Sequence, residues 1–324
     1  MTLLSASARA EAPAFVQLHH EDRAALRAEL AAGLLAPAAA IAPKFLYDSL
    51  GSRLFEAITE LDEYYPTRTE AAIFGRHRIE MARAVGPGLT LVDLGAGNCA
   101  KAASLFDALG PRRYVAVDIS VEFLRRALTD LQHRYPTLPM LGVGQDFSQR
   151  LHLPPQAGDG PRLMFYPGSS IGNFTPAGAA EFLRQVRGDM QGGALLIGVD
   201  QVKPLDVLKP AYDDPLGVTA AFNLNLLRNV NRVLGSNFDV AQWQHVAFFD
   251  KAQSRIEMHL EARHDVAVTW PGAQRRFNAG ERLHTENSCK YSVESFDALL
   301  RTAGYTNIRC WTDDKPWFAV FLAA

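Results

Sequence analysis

The feature that most constrains this chain is a short apolar run, residues 89–94, that stops in Gly95-Ala96-Gly97-Asn98 and leads into a helix-forming stretch over about 100–109. A buried strand ending in glycines and re-entering as a helix exposes its main chain at the carboxyl edge of a sheet. A nucleotide-type ligand is the natural occupant of such an edge.

The same rhythm repeats downstream. Strands are expected over 114–117, ending at Asp118, and over 140–144, 162–166 and 194–199, the last ending at Asp200, with helices over 121–134 and 177–190 between them. Alternating strand and helix argue for a parallel sheet. Upstream, helices are expected over 21–36, 52–60 and 69–85, with a turn at 63–68. Between 201 and 284 the rhythm breaks into a helix over 217–234 and strands over 255–263 and 264–270, with Pro271-Gly272 as a turn, which reads as an inserted unit. The tail returns to the core pattern: a helix over 293–303, then strands over 306–311 and 317–322 forming an antiparallel hairpin at the sheet edge. The expected architecture is α/β: a Rossmann-like core from 66–200 with 285–324, and a second α+β unit from 1–65 with 201–284.

The glycine loop alone is ambiguous, because Gly95, Gly97 and Ala100 also satisfy a dinucleotide fingerprint, with Asp118 about twenty residues on as its ribose-binding acid. Context shifts the balance. Asp93, Asp118 and Asp146-Phe147 put carboxylates near three successive strand ends, which would repel a pyrophosphate but suit the ribose hydroxyls and adenine amine of S-adenosylmethionine. On that reading Asp118 accepts from the ribose, Asp146 from the adenine amine with Phe147 offering its backbone N–H, and Lys101 pairs with the methionine carboxylate.

Composition excludes several classes. A net charge of −2 with no basic run argues against nucleic acid or anionic membrane as partners. Cys99, Cys289 and Cys310 are widely separated, form no metal-binding spacing, and read as free thiols in a reducing compartment. The start lacks a signal-peptide pattern and no segment offers some twenty unbroken apolar residues, so a cytoplasmic location is expected. No metal site is expected, and the chain is expected to act as a monomer on a small molecule.

Several longer segments then carry a family resemblance: Pro43-Lys44-Phe45-Leu46-Tyr47-Asp48, Gly51-Ser52-Arg53-Leu54-Phe55, Glu63-Tyr64-Tyr65-Pro66-Thr67-Arg68, the cofactor loop, Tyr166-Pro167-Gly168-Ser169-Ser170-Ile171-Gly172-Asn173-Phe174, Tyr212-Asp213-Asp214 and His284-Thr285-Glu286-Asn287-Ser288. From about Pro43 onward the sequence resembles the histidine-specific N-α-methyltransferases of ergothioneine biosynthesis, which make trimethylhistidine. The resemblance implies that Gly95, Lys101, Asp118, Asp146 and Phe147 contact the cofactor. It also implies a site for L-histidine formed by Tyr64, Asn173, Tyr212, Met258, Glu286 and Ser288, lying between the two units. Asn173 and Tyr212 suit the amino acid's carboxylate or amine, and Glu286 and Ser288 the two ring nitrogens of an imidazole. Tyr64 and Phe174 are expected to flank the growing ammonium. One departure stands beside this pair: Cys289 occupies a position where a bulkier aromatic is often expected. No dedicated general base is identified, with Tyr64, Glu286 and solvent all open. The alternatives are the same fold acting on another amino acid or small amine, a non-catalytic S-adenosylmethionine-binding module, and a nicotinamide-dependent oxidoreductase.

Overall fold

The computed structural model describes residues 12–18, 22–147 and 150–324. Its main sheet holds eight strands: β1 (Ala14–Gln17), β2 (Thr90–Leu94), β3 (Arg113–Asp118), β4 (Met140–Gly144), β5 (Arg162–Tyr166), β6 (Ala194–Asp200) and, from the tail, β12 (Ile308–Thr312) and β13 (Phe318–Ala323). Their spatial order is β1-β4-β3-β2-β5-β6-β13-β12. All neighbours are parallel except β13, which runs antiparallel to both β6 and β12. Strands β2, β4, β5, β6 and β13 are buried along their whole length, which explains why each reads as a continuous apolar run. Chain order reverses between β2 and β5, so the crevice at the switch point opens at the loop carrying Gly95 and Gly97.

A second, three-stranded antiparallel sheet has the order β11-β8-β7, formed by β7 (Trp243–Asp250), β8 (Arg255–Ala262) and β11 (Arg282–Cys289), with a hairpin of β9 (Val266–Trp270) and β10 (Ala273–Phe277) beside it. Helices Arg23–Leu35, Ser49–Thr59 and Val218–Leu234 share one apolar cluster with this sheet, through Leu30, Ile58, Phe222, Leu226, Ile256 and Leu260. Residues from before 65 and from 201–284 thus pack on one another.

Several local expectations need correction. The turn expected at 63–68 lies mostly inside a helix, Tyr65–Val85, because Pro66 sits in its first turn, where a missing N–H costs nothing. The single helix expected over 100–109 is two, Ala100–Ala103 and Phe106–Leu109, broken where the Ser104 hydroxyl bonds back to the Lys101 carbonyl at 2.6 Å. Strands β1, β7, β10 and β11 went unread. β11 runs across the expected division at 284/285, and β1 joins the core sheet although residues 1–65 were expected with the second unit. Glycine makes the β1 pairing possible: a Cβ at Gly142 would lie 2.4 Å from the Phe15 ring. Among the described residues, no helix is long and apolar enough to cross a membrane.

Phe321 lies at the centre of β13, 1% exposed and 5.1 Å from the Phe296 ring centroid. Phe321→Ala is expected to cost about 3–5 kcal/mol, read as a lowered urea midpoint at unchanged slope.

Candidate active site

The carboxyl ends of β2, β3, β4 and β5 gather the expected cofactor residues at one edge. Gly95 and Gly97 have φ of 74° and 52°, backbone that side-chain-bearing residues rarely adopt, and the N–H of Gly95 bonds the Val117 carbonyl at 2.9 Å. Asp118, ending β3, accepts from the Gly97 N–H at 2.9 Å and the Ser120 N–H at 2.8 Å. Burial raises its pKa, and those two N–H donors oppose the rise. Phe147 reaches the same loop, since a Cβ on Gly95 would touch its ring at 3.7 Å. Asp146 pairs with Lys44 at 3.1 Å, and Lys44 also pairs with Glu29 at 2.9 Å. Lys101 bonds Glu70 at 2.7 Å, while the other oxygen of Glu70 accepts from the Gly168 N–H at 2.7 Å, so this cation is held against the loop after β5. Asp93, counted with the strand-end carboxylates, instead bonds the buried Tyr114 hydroxyl at 2.7 Å, and burial pushes its pKa up to about 7. The arrangement fits S-adenosylmethionine: glycine backbone, a carboxylate at each of two strand ends, an aromatic ring and a cation surround one crevice.

Next to it lies a cleft whose walls include all six expected substrate residues, Tyr64, Asn173, Tyr212, Met258, Glu286 and Ser288. Tyr64 caps helix Tyr65–Val85, Asn173 ends the single turn Ser170–Asn173 after β5, Met258 sits on β8, and Glu286 and Ser288 lie two apart on β11. Their hydrogen bonds pair them across the cleft. The Asn173 amide donates to Glu286 at 3.1 Å, and the Tyr212 and Ser288 hydroxyls bond each other at 2.7 Å. Burial raises the pKa of Glu286 to about 7, opposed by the charge of Lys290 and by Asn173. Burial also raises the pKa of the Tyr64 and Tyr47 phenols.

Phe174 is not among the walls of this cleft: it stacks on Phe182 at 5.0 Å, and the aromatic surface comes from Tyr47, Phe55, Tyr64, Tyr212 and Phe222. Cys289 also points elsewhere, because alternation along β11 puts it in the core cluster of the main sheet, where its thiol bonds the Phe174 carbonyl. The departure at this position therefore does not shape the cleft.

Sequence reading missed a buried ionic group at the cleft floor. Asp200, ending β6, pairs with Lys203 at 2.5 Å and Lys290 at 2.7 Å, and accepts from the Tyr65 hydroxyl at 2.6 Å. Lys290 also donates to the Tyr212 and Ser288 hydroxyls. The available signal was the spacing Glu286, Ser288, Lys290, which is one face of a strand. On the opposite face of the second sheet, Glu257, His259 and His284 lie together, but Arg255 and His259 already engage both oxygens of that carboxylate.

A parallel sheet with a glycine loop at its switch point, carboxylates on the next strand ends and an antiparallel β13 between β6 and β12 defines a class I S-adenosylmethionine-dependent methyltransferase. Within that class, residues 26–324 match the family model of the histidine-specific, S-adenosylmethionine-dependent methyltransferases, and the chain belongs to that family. It is 42% identical over 307 residues to the histidine N-α-methyltransferase of Mycobacterium tuberculosis (strain CDC 1551 / Oshkosh), covering 93% of this chain and 95% of that protein. It is equally 42% identical over 306 residues to the protein of the same name from Mycolicibacterium smegmatis, covering 92% and 94%. Ergothioneine biosynthesis protein 1 of Neurospora crassa is 33% identical over 278 residues, covering 82% of this chain and 31% of that much longer protein. The oxidoreductase and binding-module alternatives are thereby set aside.

Asp118→Ala removes a buried acceptor from the donor crevice, and S-adenosylmethionine affinity is expected to fall roughly 10–100-fold by isothermal titration calorimetry, as for a lost hydrogen bond to a charged group.

Proposed function

We propose that this enzyme methylates the α-amino nitrogen of L-histidine three times, giving Nα,Nα,Nα-trimethyl-L-histidine (hercynine), in ergothioneine biosynthesis. The observation that carries the reading is the cleft facing the donor crevice, where Glu286 and Ser288, side by side on β11, offer an acceptor and a hydroxyl to the two nitrogens of an imidazole. Asn173 and Tyr212 lie one bond away from that pair and suit the amino acid's carboxylate and amine.

S-adenosylmethionine supplies an already electrophilic methyl group, so the protein's task is to hold an unprotonated amine in line with it and exclude water. The aromatic walls from Tyr47, Phe55 and Tyr64 provide low-polarity surface with π faces for an amine whose charge becomes permanent as methyls accumulate. On this reading Glu286 is taken up by the ring N–H, so the amine proton leaves to solvent.

Glu286 makes the reaction pH-dependent. Its ionised form accepts the ring N–H, so histidine binding strengthens as pH rises through about 7. Stability runs the other way: because the folded pKa lies above the ordinary 4.5, this residue's contribution is complete below about pH 4.5 and lost as pH rises through about 7.

Purified enzyme given S-adenosylmethionine and all twenty amino acids is expected to yield trimethylated histidine alone by mass spectrometry, and methylation of a different amino acid would overturn the acceptor. Glu286→Gln is expected to raise the KM for histidine at least about tenfold, to remove the inflection near pH 7 from kcat/KM, and to unfold at a higher temperature than the parent at pH 8.

A further inference from the structure

Lys290 is 3% exposed, and all three of its N–H donors are spent: on Asp200 at 2.7 Å, the Tyr212 hydroxyl at 2.6 Å and the Ser288 hydroxyl at 2.7 Å. It therefore has no proton left for a ligand, and it meets the cleft through those two hydroxyls and Asp200, which also lines it. We infer that Lys290, anchored by Asp200, is a positioning residue for the acceptor, dictating which way the Tyr212 and Ser288 hydroxyl protons point. The inference rests on the proposed histidine site.

The argument is a count of donors and acceptors. Both hydroxyl oxygens accept from Lys290, and they also bond each other at 2.7 Å, which consumes the proton of one of them. One O–H remains, whichever of the two donates to the other, and it has no partner on the Lys290 side, so it faces the cleft. Glu286, two residues before Ser288 on the same face of β11, is an acceptor when ionised. The cleft thus presents one acceptor and one fixed donor, the complement of a neutral imidazole, which has one N–H and one lone pair. Without Lys290 both hydroxyls could rotate, and the pattern would be lost.

The surrounding group explains how an ammonium is kept at the floor of such a cleft. Burial works against the Lys290 charge, but Asp200 and the Tyr212 oxygen more than offset it and hold its pKa above the ordinary lysine value. Lys203 shares Asp200 from the other side and donates to the Tyr65 hydroxyl at 2.9 Å. Removing Lys290 leaves Asp200 and Lys203 as a one-to-one pair, so Lys290→Met does not strand Asp200, while Glu286 loses the cation that favours its charge.

The test is a double-mutant cycle read by steady-state kinetics and calorimetry. Lys290→Met alone is expected to raise the KM for histidine about tenfold, with kcat changed much less and S-adenosylmethionine affinity unchanged. In a Tyr212→Phe, Ser288→Ala background the same substitution is expected to cost much less, leaving only what the lost Lys290 charge does to the ionisation of Glu286, because the hydroxyls that Lys290 positions are gone. An equal loss in both backgrounds, an unchanged KM in the parent, or a parallel fall in cofactor affinity would each overturn the inference. Should Lys290→Met fail to fold, Lys290→Arg keeps the charge but cannot aim its planar fork at all three acceptors; a raised histidine KM supports the role and an unchanged one overturns it. Failure of the histidine reading shows separately, as a parent enzyme that leaves histidine unmethylated.

Discussion

Asp200 is the carboxylate on which the acceptor cleft is assembled. It sits at the carboxyl end of β6 with 0% exposure, and burial alone would raise its pKa, yet Lys290 and then Lys203 hold it below the ordinary range. Its side-chain partners come from three separate parts of the chain: Tyr65 from the first turn of the long helix, Lys203 from the segment leaving β6, and Lys290 from just beyond β11, which carries Tyr212 with it. Its own backbone N–H donates to the Ser169 hydroxyl at 2.8 Å, fixing the loop that leads to Asn173. A buried carboxylate must find partners or lose its charge, and here the partners stand directly behind residues that line the cleft, Tyr212 and Ser288 among them.

The charges in this floor balance only when Glu286 is counted. Asp200 faces two ammonium groups, and the excess positive charge of Lys290 is felt by Glu286, whose pKa it lowers against burial. Lys203, squeezed by burial and by the neighbouring Lys290, falls to about 8. At Glu286 burial is thus set against one fixed cation, and the cation is itself fixed by a second carboxylate.

The donor crevice was more legible in sequence than the acceptor floor, for a physical reason. Gly95, Asp118, Asp146 and Phe147 follow directly from strand ends in a regular βα alternation, so linear order places them. Glu286, Ser288 and Lys290 depend on a strand that sequence pattern conceals: β11 reads Arg-Leu-His-Thr-Glu-Asn-Ser-Cys, with six polar residues between and around Leu283 and Cys289, and a register shift between His284 and Glu286 breaks its alternation further. Strand β10, Ala-Gln-Arg-Arg-Phe, hides behind exposed arginines in the same way. Phe174 shows the converse: expected to flank the growing ammonium with its aromatic face, it stacks instead on Phe182.

The two crevices are joined by the segment around residues 44–56. Lys44 pairs with Asp146, the carbonyl of Tyr47 accepts from the Ser120 hydroxyl at 3.1 Å, and Glu56 accepts from the Asn98 amide at 3.1 Å, so this one stretch touches the loops after β2, β3 and β4. Its other side supplies Tyr47 and Phe55 to the acceptor cleft, edge to face at 5.6 Å, and Asp48 is bound by Asn225 of the helix Val218–Leu234 at 2.8 Å. The donor loops and the aromatic wall therefore share one segment, tied to both by hydrogen bonds and ring contacts. A methyl donor and a small amino acid must meet in line within a fraction of an ångström, and a shared wall between their sites is a direct way to set that distance.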